Sequence, residues 1–226
     1  DVVVIDRRNY HLFQPLLYQV AMAGLNPGDI STPLRRLFSG QKNLSIVMAE
    51  VDRLDLPGHR VHFDQHWLSF DYLVVCCGSK HHYFGNNEWE EYSPGLKTIE
   101  QATEIRRRIL LSLELAEKES DPQRRQELLT FVVVGGGPTG VEVAGAIAEM
   151  VHHTLVRDYT VADLRSTRVI LVEGGDRVLA GFPATLSTQA EKSLRQLGVE
   201  VRLNSRATNP NAAGIRSEER RVGKEC

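Results

Sequence analysis

The stretch FVVVGGGPTGVEV, residues 131–143, decides the fold. Phe131 and three valines form an apolar, mostly β-branched run, glycines follow at 135, 137 and 140, and Val141, Val143, Ala144, Ile147 and Ala148 then recur at helical spacing. This is G-x-G-x-x-G set between a strand and a helix, the context in which it implies dinucleotide binding rather than an ordinary glycine-rich turn. The first glycine permits a tight turn, the second lets the backbone approach a pyrophosphate, and the third lets the helix lie close on the strand. The helix would point its unpaired N–H groups and the positive end of its dipole at the phosphates.

Outward from that motif, composition sets limits. With 226 residues the chain can form one or two cored domains, and 42% hydrophobic with 25% charged residues is a globular balance. A formal charge of −2 argues against a nucleic-acid binder. No apolar run reaches bilayer length, and no leader pattern is present. Asp1 opens directly onto a strand-like run, 2–5, which reads as the interior of a gene product whose start is missing. Cys76 and Cys77 are adjacent, which is not a redox or zinc spacing, and they read as small hydrophobes at a strand end. The segment RSEERRVGKEC, 216–226, lacks periodicity, resembles a translated sequencing adapter, and is expected to be an artefactual or disordered tail without chemistry.

Further along the chain, residues 1–6 read as a parallel strand ending in an acid, 32–38 as a helix, and 46–51 as a strand. Val61 with Phe63, and Leu68 with Phe70, alternate between the turn signals Pro57-Gly58 and Asp64-Gln65, giving a small β-meander. Residues 72–77 are expected to form a continuous apolar strand closed by Gly78. Ala102, Ile105, Ile109, Leu113 and Ala116 mark one stripe of a helix over 99–118, stopped by Asp121-Pro122. After the glycine motif, a strand over 168–172 ends at Glu173, and a helix ending at Gly198 leads to another strand. The strand ending in Asp6 and the strand ending in Glu173 echo each other. Each could hold a ribose hydroxyl. The pairs His81-His82 and His152-His153 are too divergent in direction to make a metal site alone, no metal is expected, and Arg106-Arg107-Arg108 reads as a solvated helix face.

The runs DRRNYHLFQPLLYQVAMAGLNP (6–27) and VVVGGGPTGVEVAGAIAEM (132–150), with the joining YFGNNEWEEYSPGLKTIEQATEIRRRIL (83–110), closely resemble type II NADH dehydrogenases, the single-chain, FAD-dependent NADH:quinone oxidoreductases. The resemblance implies an α/β fold of two Rossmann-like units, with an NAD domain inserted in an incomplete FAD domain. It places the partial FAD domain at 1–120 and the NAD domain at 121–215. The flavin glycine motif would precede Asp1, and the quinone pocket and membrane-binding helices would follow Ile215. The implied reaction moves a hydride from NADH to FAD and electrons on to a quinone. The cofactors implied are FAD and NADH.

By the same resemblance, Asp6 holds the adenosine ribose of FAD, the strand reaching Val51 meets the adenine, and Gly78 makes a turn where Cys76 and Cys77 replace the family's Ala and Thr. Gly135, Gly137 and Gly140 seat the NADH pyrophosphate, and Glu173 holds its ribose, the alternative being a solvated loop acid. Glu142 lies near the nicotinamide, or serves only as an acid in the first helical turn. Gln14, Pro15 and Gln19 fall near the flavin and its electron acceptor. The expected partners are a quinone and the cytoplasmic face of a membrane, touched peripherally; a homodimer is allowed and nucleic acid is not expected. The competing readings are another two-nucleotide flavoprotein reductase and a nucleotide-binding or redox-sensing module without turnover.

Overall fold

The computed structural model describes residues 1–211 and 214–219, and its chain divides into two compact units. The first holds Asp1–Gln14 and Asn26–Lys80; the second holds Pro15–Leu25 and everything from His81.

In the first unit, β1 (Val2–Asp6) leads to β2 (Tyr10–Leu12). After a segment containing α1 (Leu17–Ala21), which belongs to the second unit, β3 (Ser31–Pro33) returns antiparallel to β2. The helix expected over 32–38 is therefore shorter: Pro33 closes β3, and α2 spans only Leu34–Leu37. Next, β4 (Leu44–Met48) runs parallel to β1, with Asp6 opposite Met48. The strand expected across 46–51 is broken. The Ala49 N–H ends the parallel pairing on the Asp6 carbonyl at 3.0 Å, and Val51 opens a new strand opposite Phe63. That strand, β5 (Val51–Asp55), pairs with β6 (Arg60–Phe63), which pairs with β7 (His66–Ser69), giving the expected meander. Its turns use left-handed His59 and Asp64, and its buried face carries Val61 and Phe63.

The apolar run at 72–77 does not form the expected strand. Tyr72 is 94% and Val74 82% exposed, and among the described residues no strand pairs with this segment. An apolar run becomes a strand only where neighbours take its N–H and C=O groups, and here none does. Gly78 nevertheless adopts φ +68°, the left-handed conformation expected of its turn.

In the second unit, α3 (Ile99–Lys118) starts where Thr98 accepts the Gln101 N–H at 3.2 Å, and it buries Ala102, Ile109, Leu113 and Ala116. Asp121 both ends this passage and caps α4 (Pro122–Leu128), with Pro122 at the first helical position. Then β8 (Thr130–Val134), α5 (Pro138–Glu149), β9 (Arg168–Val172), α6 (Ala184–Gln196) and β10 (Val199–Arg202) follow. The three strands form one parallel sheet in the order β10-β9-β8, a βαβαβ mononucleotide-binding half. Its core runs from Val169 and Leu171 through Ala144, Ile147 and Leu194 to Leu113 and Leu129. Because the α3 stripe is part of this core, the compact units do not divide at residue 120; α3 and α1 pack with the parallel sheet's unit.

The last strands are β11 (Ser205–Asn211) and β12 (Gly214–Glu219), paired antiparallel. The segment expected to be a tail from Arg216 is thus strand through Glu219, because its backbone finds β11; residues 220–226 lie outside the described residues. Among the described residues no helix is long and apolar enough to cross a membrane.

Candidate functional site

The glycine turn sits at the carboxyl end of β8, beside the carboxyl end of β9, with Val134 opposite Val172. Gly135 has φ +100° and passes its N–H to the Val172 carbonyl at 2.8 Å, so the ladder continues one step into the turn. Gly137 caps α5, and a Cβ there would meet nothing within 4 Å: the space before the helix is open. Pro138 occupies the first helical position, where its missing N–H costs nothing. At Gly140 a Cβ would run into the Gly135 carbonyl oxygen, so the return of the turn under its own helix requires glycine.

Glu173 follows β9 immediately, and its carboxylate turns toward the glycine turn. It accepts the Gly136 N–H at 2.5 Å and the Gly175 N–H at 2.6 Å. Asp6 uses the same local device in the other unit, accepting the Arg8 N–H two residues on at 2.8 Å. The echo seen in sequence is therefore also one of side-chain geometry. Glu142 lies exposed on α5, yet enough protein surrounds its carboxyl that desolvation pushes its pKa up.

The other predicted residues are spread. Gln14 begins a 3-10 turn in the first unit and is exposed with Pro15. Gln19 lies on α1 of the second unit, where its side-chain N–H donates to the Tyr18 hydroxyl at 3.1 Å and it borders a cleft of about 440 Å³ with Met22, Ala146 and Glu149. Val51 opens the meander and is not part of the parallel β1–β4 pair.

Sequence reasoning missed Gly136, whose signal was a third glycine at an unspecified motif position. It also missed Glu117, at the end of α3. That carboxylate accepts from the backbone N–H groups of Thr160, Val161 and Ala162 and from the Thr160 hydroxyl, at 2.8 to 3.1 Å. These bonds, led by Ala162, hold its pKa at about 2. The arginine run is less solvated than expected. Arg107 and Arg108 both pair with Glu104, Arg108 also reaches the Glu91 carbonyl at 2.8 Å, and the Arg106 Nε is buried. His152 places its ring nitrogens 3.1 Å from the Leu197 and 3.0 Å from the Thr167 carbonyl oxygens, tying helix ends to β9.

With this geometry in place, a model of the pyridine nucleotide-disulphide oxidoreductase family matches residues 1–224. The chain belongs to that family. It is 42% identical to the type II NADH:quinone oxidoreductase Ndh of Mycobacterium tuberculosis, over 95% of this chain and 47% of the relative. It is 32% identical to the mitochondrial external alternative NAD(P)H-ubiquinone oxidoreductase B2 of Arabidopsis thaliana, over 95% of this chain and 39% of the relative. The chain spans about half the length of the curated relatives it matches most strongly. Among solved structures, NDH2 from Plasmodium falciparum in complex with NADH superposes with a TM-score of 0.84 at 23% identity, over 97% of this chain and 48% of that one. The sulfide:quinone oxidoreductase of Aquifex aeolicus gives 0.70 at 20% identity, over 96% and 50%. At such identities these likenesses establish the fold. Within the family, the adjacent, exposed Cys76 and Cys77 do not have the spacing of a redox disulfide pair.

Proposed function

We propose that this chain serves a type II NADH:quinone oxidoreductase, with NADH at the glycine turn of β8 and the adenosine end of FAD at Asp6. The observation that carries the reading is the glycine turn: a left-handed Gly135, an open face at Gly137, and a carboxylate at the end of the neighbouring parallel strand. This donor set suits a dinucleotide, since helix N–H groups meet phosphate and a carboxylate meets ribose hydroxyls. FAD, when bound, supplies the two-electron chemistry that lies between a nicotinamide and a quinone.

The chain's own task is binding and orientation. The first turn of α5 holds the pyrophosphate, and Glu173 holds the adenosine ribose. Glu142, one turn into the helix, orients the nicotinamide carboxamide; its raised pKa fits a carboxyl drawn partly out of water. Asp6 holds the flavin nucleotide's ribose, Gly78 shapes a turn of the same domain, and Gln14 and Gln19 belong to the surroundings of the flavin and its acceptor. We assign residues 1–120 chiefly to flavin binding and 121–215 to NADH. A quinone is the acceptor, and the protein works peripherally at the cytoplasmic face of a membrane, as a monomer or a homodimer.

The test is to purify the chain, titrate it with NADH and with FAD, and follow NADH oxidation with a soluble quinone. Binding of both nucleotides with quinone-dependent NADH oxidation supports the reading. Failure to bind NADH removes it.

A further inference from the structure

Gly136 is tied on both of its sides to the segment that follows β9. Its N–H goes to Glu173 Oε2 at 2.5 Å, and its carbonyl accepts the Leu179 N–H at 2.7 Å. The other carboxylate oxygen, Oε1, takes the Gly175 N–H at 2.6 Å. A Cβ on Gly136 would stand 3.0 Å from Glu173 Oε2 and 3.1 Å from both Glu173 Cγ and Val178 Cγ1. Leu179 adopts φ +51°, unfavourable for a leucine, next to this attachment. The segment is fastened again behind: the Ser187 hydroxyl donates to the Val178 carbonyl at 2.5 Å, and Arg177 donates to the Ala180 carbonyl at 2.8 Å. The phosphate-binding turn and the loop after β9 are thus one hydrogen-bonded body, with Glu173 at its centre.

We propose that Glu173 is a positioning residue for the glycine turn. It holds the Gly136 and Gly175 N–H groups before any nucleotide arrives, and it supports nucleotide binding through the shape of the turn, independently of a ribose contact. A carboxylate offers about four acceptor directions, so the clamp leaves room for ribose hydroxyls on the same oxygens. The clamp also explains why the motif's unspecified position is glycine here: a methyl group on it would press on the carboxylate that holds it. The inference rests on reading this turn as the NADH site, and its test separates the two.

The first measurement uses the chain without nucleotide. Glu173→Gln keeps one acceptor oxygen but replaces the other with an NH2 group that cannot accept, so one of the two amides loses its partner. Amide hydrogen exchange at Gly136 or Gly175 is expected to rise by about tenfold or more, while Val132 and Ile170 in the strands keep their protection and report an intact fold. Gly136→Ala is expected to raise exchange at Gly175 by displacing the carboxylate. Unchanged exchange at both amides in Glu173→Gln overturns the clamp.

The second measurement compares the affinities of NADH and of its analogue lacking the adenosine 2′-hydroxyl, read by nicotinamide fluorescence. Glu173→Gln is expected to weaken both by about tenfold. If it weakens NADH but leaves the analogue bound as in the wild type, Glu173 acts only through the ribose and the proposal fails. If the wild type binds neither nucleotide, the reading of the site falls, while the exchange data still decide whether the clamp exists.

Discussion

Glu117 sits at the last turn of α3 and gathers the backbone of residues 160–162 onto one carboxylate. Its pKa of about 2 lies below the ordinary carboxylate value of 4.5, first because the Ala162 N–H bonds the charged form. A depressed pKa means the contribution to stability is full above the unfolded-state value and is lost as pH falls through the folded-state value. The thermal midpoint should therefore fall between about pH 4.5 and pH 2 more steeply in the wild type than in Glu117→Gln, and parallel curves would show that the contact carries no stability. A second residue-scale expectation concerns nucleotide choice. Glu173 is anionic where a 2′-phosphate would sit, and the nearest arginine, Arg177, is folded back onto the Ala180 carbonyl. NADH should bind at least about tenfold more tightly than NADPH; equal dissociation constants would contradict the assignment. Gly135, Gly137, Gly140 and Glu173 were readable because each answers a local demand of a strand–turn–helix unit. Gly136 and Glu117 were not, because their partners lie about 40 residues away, and only the folded topology creates those contacts.

Among the elements, α3 was legible to the residue: Thr98 supplies the cap, and the buried stripe keeps helical spacing for 20 residues. Replacing that cap by Thr98→Ala should cost about 1 kcal/mol in chemical denaturation. The joint of β8 and α5 is stricter. Gly140→Ala would push a methyl group into the Gly135 carbonyl, a backbone atom that cannot rotate away. It should cost about 2 kcal/mol and weaken NADH binding, and a variant as stable and as tightly bound as the wild type would refute the close approach. The run at 72–77 was misjudged as a strand for a physical reason. Its valines and cysteines satisfy β propensity, but propensity does not provide the neighbouring strand. Similarly, the break between β4 and β5 follows from pairing partners that change at Ala49, which the uniform apolar run of 46–51 conceals.

At the scale of the molecule, the chain crosses between its compact units at Gln14–Pro15, at Leu25–Asn26 and at Lys80–His81. Residues 71–80 carry exposed side chains and no strand pairing, so trypsin should cut early after Lys80. The two products should nevertheless elute together from a sizing column. Leu17, Val20 and Ala21 of α1 are at most 2% exposed, and α1 packs on α3 and α5 in the second unit's core. Separate elution of an N-terminal piece would show that this packing is weak.

That small helix also imposes an order in time. Five residues cannot hold a helix alone in water, so α1 must wait for α3 and α5. The ribosome delivers those helices only after about 80 further residues or more, a span whose closure has its own entropy cost. Until they emerge, Leu17 and Val20 are apolar side chains of a nascent chain with nowhere to go. A slow codon stretch or a chaperone acting while residues 26–98 are being made would thus bear on the core of a unit whose sheet has not yet been synthesised.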